Sequence, residues 1–147
     1  TNKEMLWKAV KLAIFDETTL QDQLDAIEAI DQLAPFIKAW AEYRYTLFEK
    51  HPEVLRLLNW QLLEGENEKL TILEHPAHQV WTKKIQQFYE TKQIDRTLPS
   101  KLIRMMINQA ISGLFIYPQF GENSAIERKQ QLSKVVEIVI KGISTTA

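Results

Sequence analysis

With 147 residues, 45% hydrophobic and 25% charged, the chain has the size and composition of one globular domain, not of a disordered segment. A formal net charge of −1 gives no global field to draw nucleic acid or an anionic membrane, and the absence of cysteine excludes disulfides, thiolate metal sites and a cysteine nucleophile. Only 4 glycines and 5 prolines leave too few turn residues for an all-β fold, so the predicted class is all-α.

The N-terminus, TNKEMLWK, is no signal peptide, because acidic and aromatic residues interrupt any apolar run. It begins abruptly inside a helix-start signal, as a fragment would. Thr1 and Glu4 have capping-box spacing, and Met5, Leu6, Ala9, Val10 and Ala13 follow at helical intervals. This predicts a first helix from about Asn2 to Phe15, interrupted at Asp16–Thr19. Thr18 and Gln21 offer a second capping box, after which Leu20, Leu24, Ile27 and Leu33 or Ala34 continue an apolar stripe. Pro35 marks a kink or a fresh start, so residues 18–50 read equally as one kinked helix or as two.

The stretch from Pro35 to Gly65 is the most informative in the chain. Phe36, Trp40, Tyr43 and Leu47 recur at a helix period, and Ile37, Ala41 and Phe48 form a second row. Arg44 stands in that second row where an apolar residue is expected. Pro52 fits a first helical position, and Val54, Leu55, Leu58, Leu62 and Leu63 supply a buried face up to Gly65. GENEKLTILEHP then reads as a polar loop.

A helix from about Pro76 presents His78, Trp81, Ile85 and Phe88 on one side, and QIDRTLP links it to the next. From Pro99 onward, Leu102, Ile103, Met106, Ile107, Ala110, Ile111, Leu114 and Phe115 form two apolar stripes, which calls for two packing partners. The uncharged run from Met105 to Gly121 carries Asn108, Gln109, Ser112 and Pro118 and is too short to span a membrane. YPQFGEN is a turn, and Ser124 with Glu127 makes a third capping box. The last helix carries Leu132, Val135, Val136, Ile138, Val139, Ile140 and Ile143 and is apolar nearly all round in its second half. The sum is an antiparallel bundle of about six to seven helices in one domain over 1–147, without strands or internal repeats.

Trp40, Tyr43, Phe48, Trp60, Trp81 and Phe88 lie on three predicted helices and can converge. The plain alternative is a large aromatic core. Four polar residues on otherwise apolar faces, Arg44, Asn59, Asn108 and Ser112, favour a small-molecule cavity instead, with Ile85 alongside Trp81. Arg44 either pairs with a nearby carboxylate such as Glu42 or Glu64, or recognises an anionic group on a ligand.

His75 and His78 are spaced for metal, but Pro76 lies between them and no third ligand follows. No Gly-rich phosphate loop, G-x-S-x-G or H-E-x-x-H is present, Ser112-Gly113 reads as close helix packing, and no cofactor or catalytic constellation is expected. Basic residues are dispersed among acids, so this chain has no nucleic-acid surface of its own.

Taken together, TNKEML at the start, FEKHPEVLRLLNWQLLEG in the middle, LIRMMINQAISGLFIY before the turn, and KQQLSKVVEIVIKGI at the end resemble the TetR family of transcriptional regulators. TNKEML resembles the segment after that family's DNA-reading helix-turn-helix. The resemblance implies an effector-binding and dimerisation domain whose DNA-binding headpiece lies upstream of Thr1, so that DNA is reached only through that missing part. It implies that residues about 99–117 and 124–143 pair with their symmetry mates in a four-helix bundle, with Ile103, Ile107, Ala110, Leu114, Val135, Val136, Val139 and Ile143 at the homodimer interface. It also places Trp40, Trp60, Trp81 and Met105 in a ligand-sensing bundle. ETKQIDRTLP lacks the glycine often seen at that connection in the family. The function implied is a cytoplasmic bacterial regulator that senses a largely apolar small molecule. The competing expectation is a structural or adaptor bundle with no ligand.

Overall fold

A computed structural model describes residues 3–18, 20–63, 76–116 and 125–145. Among these, seven helices carry the fold: α1 (Lys3–Thr18), α2 (Gln21–Glu28), α3 (Leu33–Lys50), α4 (Pro52–Leu63), α5 (Pro76–Glu90), α6 (Ser100–Ile116) and α7 (Ala125–Ile143). The one β-type pairing among the described residues is an isolated antiparallel bridge between Ile94 and Ser144.

α3 is the axis. It packs against α2, α4, α6 and α7, while α2 also packs on α5, α6 on α7 and α1 on α4. Its Phe36, Ile37, Trp40, Ala41, Tyr43, Tyr45, Leu47 and Phe48 are all buried, so both apolar rows read from the sequence face protein. Pro35 occupies the third position of α3, within the first turn, where its missing N–H has no partner to lose. The helix stops at His51, whose backbone (φ −130°, ψ 72°) leaves the helical region as a residue before proline is biased to do, and Pro52 opens α4.

Residues 18–50 form separate helices, and the break differs from the predicted one. α1 runs on through Asp16 and Glu17 to Thr18, so Thr18 ends one helix where it was expected to begin the next. The residue before α2 is Leu20, in the left-handed region at φ 54° and without a side-chain cap. Leu20 is half-buried against the core, so apolar burial sets this turn and local capping chemistry does not. The first and third predicted capping boxes rest on Thr1 and Ser124, outside the described residues.

α5 ends without glycine. The Lys92 N–H donates to the Tyr89 carbonyl (3.1 Å) and the Gln93 N–H to the Phe88 carbonyl (2.9 Å), with Lys92 at φ 60°. That is a Schellman motif with lysine at the position glycine usually fills. The segment after it ties the two ends of the bundle together. Asp95 N–H donates to the Ile143 carbonyl at 2.9 Å, and Thr145 N–H donates to the Gln93 carbonyl at 3.1 Å. The Gln93 side chain accepts from the Leu33 N–H at 2.8 Å and donates to the Asp31 carbonyl at 3.2 Å, capping α3 from sixty residues away.

The two stripes of α6 separate cleanly. Ile103, Ile107, Ile111 and Leu114 are buried within the chain, as are Val136, Val139 and Ile143 of α7; Ala110 and Val135 are half-buried. Of the residues expected at a dimer interface, Ile103, Ile107, Leu114, Val136, Val139 and Ile143 thus pack in the subunit's own core, while Ala110 and Val135 keep part of their surface outside it. The other stripe, Leu102, Met105, Met106 and Ile116, is exposed on one side of α6, and Ile138 of α7 is 69% exposed. Where α3, α6 and α7 meet, a void of about 10 Å³ has space for about one water and is lined only by apolar side chains.

Candidate functional site

The rings expected to converge do so, and they pack directly on one another. Trp40 of α3 and Trp81 of α5 lie 5.0 Å apart by ring centroid; Phe36 lies 5.9 Å from Trp81 and 5.2 Å from Phe88, and Tyr43 lies 5.6 Å from Trp40. Ile85 is buried beside them, and Phe48 meets Phe115 of α6 edge-on at 6.0 Å. This much is aromatic core.

Polar groups gather at one end of it. Trp40, Arg44 and Phe48 follow one another at i, i+4, i+8 on α3; His78 and Trp81 sit a turn apart on α5; Arg104, Asn108 and Ser112 repeat the i, i+4, i+8 row on α6. The Arg104 Nη1 donates to His78 Nδ1 at 2.7 Å. An accepting Nδ1 requires neutral imidazole with its proton on Nε2. Burial, and then the Arg104 charge, hold the His78 pKa below the usual histidine range, in agreement with that tautomer. The Arg44 guanidinium lies over the Phe48 ring, 5.0 Å from its centroid. Burial brings its pKa down to about 10, with Tyr43 opposing and the Arg104 charge adding to the fall, so it remains a cation at neutral pH. Burial pushes the Tyr43 phenol up to about 12, and Arg44 partly opposes this.

Four buried polar atoms at this junction find no hydrogen-bond partner among the described residues: Trp40 Nε1, Trp81 Nε1, Arg44 Nε and Asn108 Oδ1. Buried polar atoms are nearly always partnered, so four on adjoining helices mark the place where the chain departs from core logic. Ser112 is buried close by in sequence, and Asn59 of α4 is half-buried. The expected pairing of Arg44 with Glu42 does not form; Glu42 is exposed, and Glu64 lies outside the described residues.

One expected member does not join. Met105 is 54% exposed on the outer stripe of α6, about a third of a turn from Arg104 and away from the aromatic cluster. Trp60 lies within α4, with its side chain outside what the structure describes, and His75 of the candidate metal pair lies outside the described residues; no group of metal-binding side chains occurs among the described residues. Conversely, Arg104 lies outside the expected set, and His78 enters it only as a candidate metal ligand. The signal available was the row Arg104–Asn108–Ser112, three polar residues at one-turn spacing on a helix whose neighbouring positions are apolar. Lys84 is a further surprise: it is buried, with Nζ on Gln87 Oε1 at 2.8 Å and over the Phe88 ring at 5.4 Å.

No helix among the described residues is long and apolar enough to cross a membrane. No curated protein and no solved structure gives a significant match. A family model described as the tetracyclin repressor-like C-terminal domain matches residues 37–141, from the middle of α3's first half to the last turn of α7, and so spans every helix of the candidate site. With the all-α bundle in place around it, the chain belongs to the tetracyclin repressor-like C-terminal domain family.

Proposed function

We propose that this chain is the ligand-sensing and dimerisation domain of a cytoplasmic transcriptional regulator, with a largely apolar small molecule received at the α3–α5–α6 junction. The observation that carries the reading is the set of buried, partnerless polar atoms beside the Trp40–Trp81 pair. A bundle whose only task is to hold itself together gains nothing from leaving them so, which is what disfavours the structural or adaptor alternative.

Both indoles are already covered, Trp40 at 2% and Trp81 at 1% exposure, so a ligand that reaches them has to part α5 or α6 from α3. Binding therefore favours a different helix arrangement from the ligand-free one, which is the requirement for a population shift. The route outward runs through α4, which continues α3 across His51–Pro52 and packs on α1. Movement of α1 would reset the spacing of DNA-binding headpieces carried upstream of it. Dimerisation is assigned to the outer faces of α6 and α7, where Leu102, Met105, Met106, Ile116 and Ile138 leave apolar surface outside the subunit core.

The test is a thermal-shift screen of apolar and amphipathic small molecules against the wild type, with hits repeated on Asn108→Leu. A ligand of this site raises the unfolding temperature of the wild type and loses that effect in the variant. A hit whose effect is the same in both binds elsewhere and contradicts the assignment.

A further inference from the structure

Beside the Trp40–Trp81 pair, the described residues of the α3–α5–α6 junction bring two arginines together and no carboxylate. Arg44 enters from α3 and Arg104 from α6, near enough for the charge of one to act on the other. Neither makes an ion pair among the described residues. Arg104 spends one N–H on the neutral His78 ring, which leaves its charge uncompensated among the described residues. Arg44 has the Phe48 π-face, which attracts the cation but accepts no hydrogen bond from Nε. Two like charges in partly desolvated surroundings raise one another's energy, and that repulsion is relieved only when an anion comes between them.

The neutral groups around them point the same way. Trp40 Nε1 and Trp81 Nε1 are N–H donors that can do nothing but donate, and Arg44 Nε is a third. His78, accepting at Nδ1, turns its remaining proton to Nε2 and is a donor there too. Asn108 presents an oxygen, but a half-turn of its amide exchanges it for NH2. The junction is thus rich in donors and poor in acceptors, whereas a basic ligand would ask for the reverse and a wholly apolar one for neither. The forked guanidinium suits a planar two-oxygen acceptor, and the indole faces next to it suit an apolar body.

We propose that the ligand of this site is an apolar organic carboxylate, its charged end held between Arg44 and Arg104 and its body turned toward the Trp40–Trp81 pair. The proposal rests on the ligand-sensing reading above and specifies the class of ligand.

Three isosteric pairs test it by calorimetry and thermal shift: phenylacetate with phenylacetamide, 1-naphthylacetate with 1-naphthylacetamide, and decanoate with decanamide. In at least one pair the carboxylate is expected to bind the wild type about tenfold or more tightly than its amide, the scale of a charge-assisted hydrogen bond. Arg104→Gln should abolish most of that preference by weakening the carboxylate far more than the amide; Arg104→Lys, which keeps the charge, should retain part of it. Arg44→Met serves as the second variant should Arg104→Gln fail to fold by circular dichroism. Equal binding of carboxylate and amide would overturn the carboxylate assignment and leave the ligand-sensing reading standing. Binding by none of the six compounds would overturn both.

Discussion

Arg104 and His78 meet across the α5–α6 junction at 2.7 Å, with a guanidinium N–H donating to a bare imidazole nitrogen. The contact holds only while His78 is neutral, because a second proton on the ring would set a cation against a cation.

A pH dependence follows. Burial and Arg104 hold the folded His78 pKa below its ordinary value, so the unfolded chain takes up a proton first as the pH falls. Stability is full above the ordinary histidine range near pH 6.5 and declines as the pH drops below it, until the folded ring also titrates. Urea unfolding between about pH 5 and pH 7.5 should show wild-type stability falling toward the acid end, and His78→Gln should flatten that slope. Parallel slopes in the two proteins would contradict this role for His78.

Trp40 and Trp81 are core side chains as well as proposed ligand contacts, so truncation and conservative exchange should part company. Trp81→Ala removes a fully buried ring and is expected to destabilise the domain by about 3–5 kcal/mol. Trp81→Phe keeps most of the volume and deletes an indole N–H that has no partner, so it should cost far less. Denaturant midpoints of the two variants give the comparison, and only the phenylalanine variant is suited to binding measurements.

Gln93 is expected to matter more than its half-buried position suggests. Its side chain receives the first free N–H of α3 and holds the α2–α3 turn from the far side of the bundle. Gln93→Ala should lower stability by about 1–2 kcal/mol, the scale of a lost helix cap, whereas Lys92→Gly next to it should be neutral to stabilising by up to about 1 kcal/mol because the left-handed backbone suits glycine. Chemical unfolding of both variants measures these opposite signs.

The two apolar faces of α7 give opposite outcomes on adjacent residues. Ile138→Glu places a charge on a 69% exposed position and should dissociate the dimer without unfolding the subunit, as read by sedimentation velocity with circular dichroism. Val139→Glu puts the charge into the core at 6% exposure and should unfold the chain. A wild type that sediments as a monomer would remove the dimer assignment.

What the sequence disclosed, and what it concealed, divides along physical lines. Pro52, Pro76 and Pro99 announce helix starts because proline lacks an N–H and fixes φ, and the observed bounds of α4, α5 and α6 follow them closely. The aromatic rows of α3 and α5 converge as their spacing implies. The α1–α2 break was misplaced because Leu20 turns the chain through tertiary burial, which leaves no local mark like that of a Thr or Asp cap. α6 shows why periodicity detects faces without assigning them. Ile103, Ile107 and Ile111 look no more apolar than Leu102, Met105 and Met106, and only the packing against α3 and α7 decides which row is inward. Arg104 was passed over because one arginine on a helix reads as surface; its meaning comes from His78 and Arg44, sixty residues apart at the extremes and joined only by the fold.

The central claim is that the partnerless donors beside Trp40 and Trp81 form a ligand receptor, and indole NMR tests it most directly. The four tryptophans give separate ring N–H cross-peaks in a ¹⁵N–¹H spectrum, assignable by Trp40→Phe and Trp81→Phe. On saturation with the tightest-binding carboxylate of the six probes, the Trp40 and Trp81 cross-peaks are predicted to shift together and the Arg44 Nε–H to move with them. Saturable binding that leaves those three signals where they were would contradict the account.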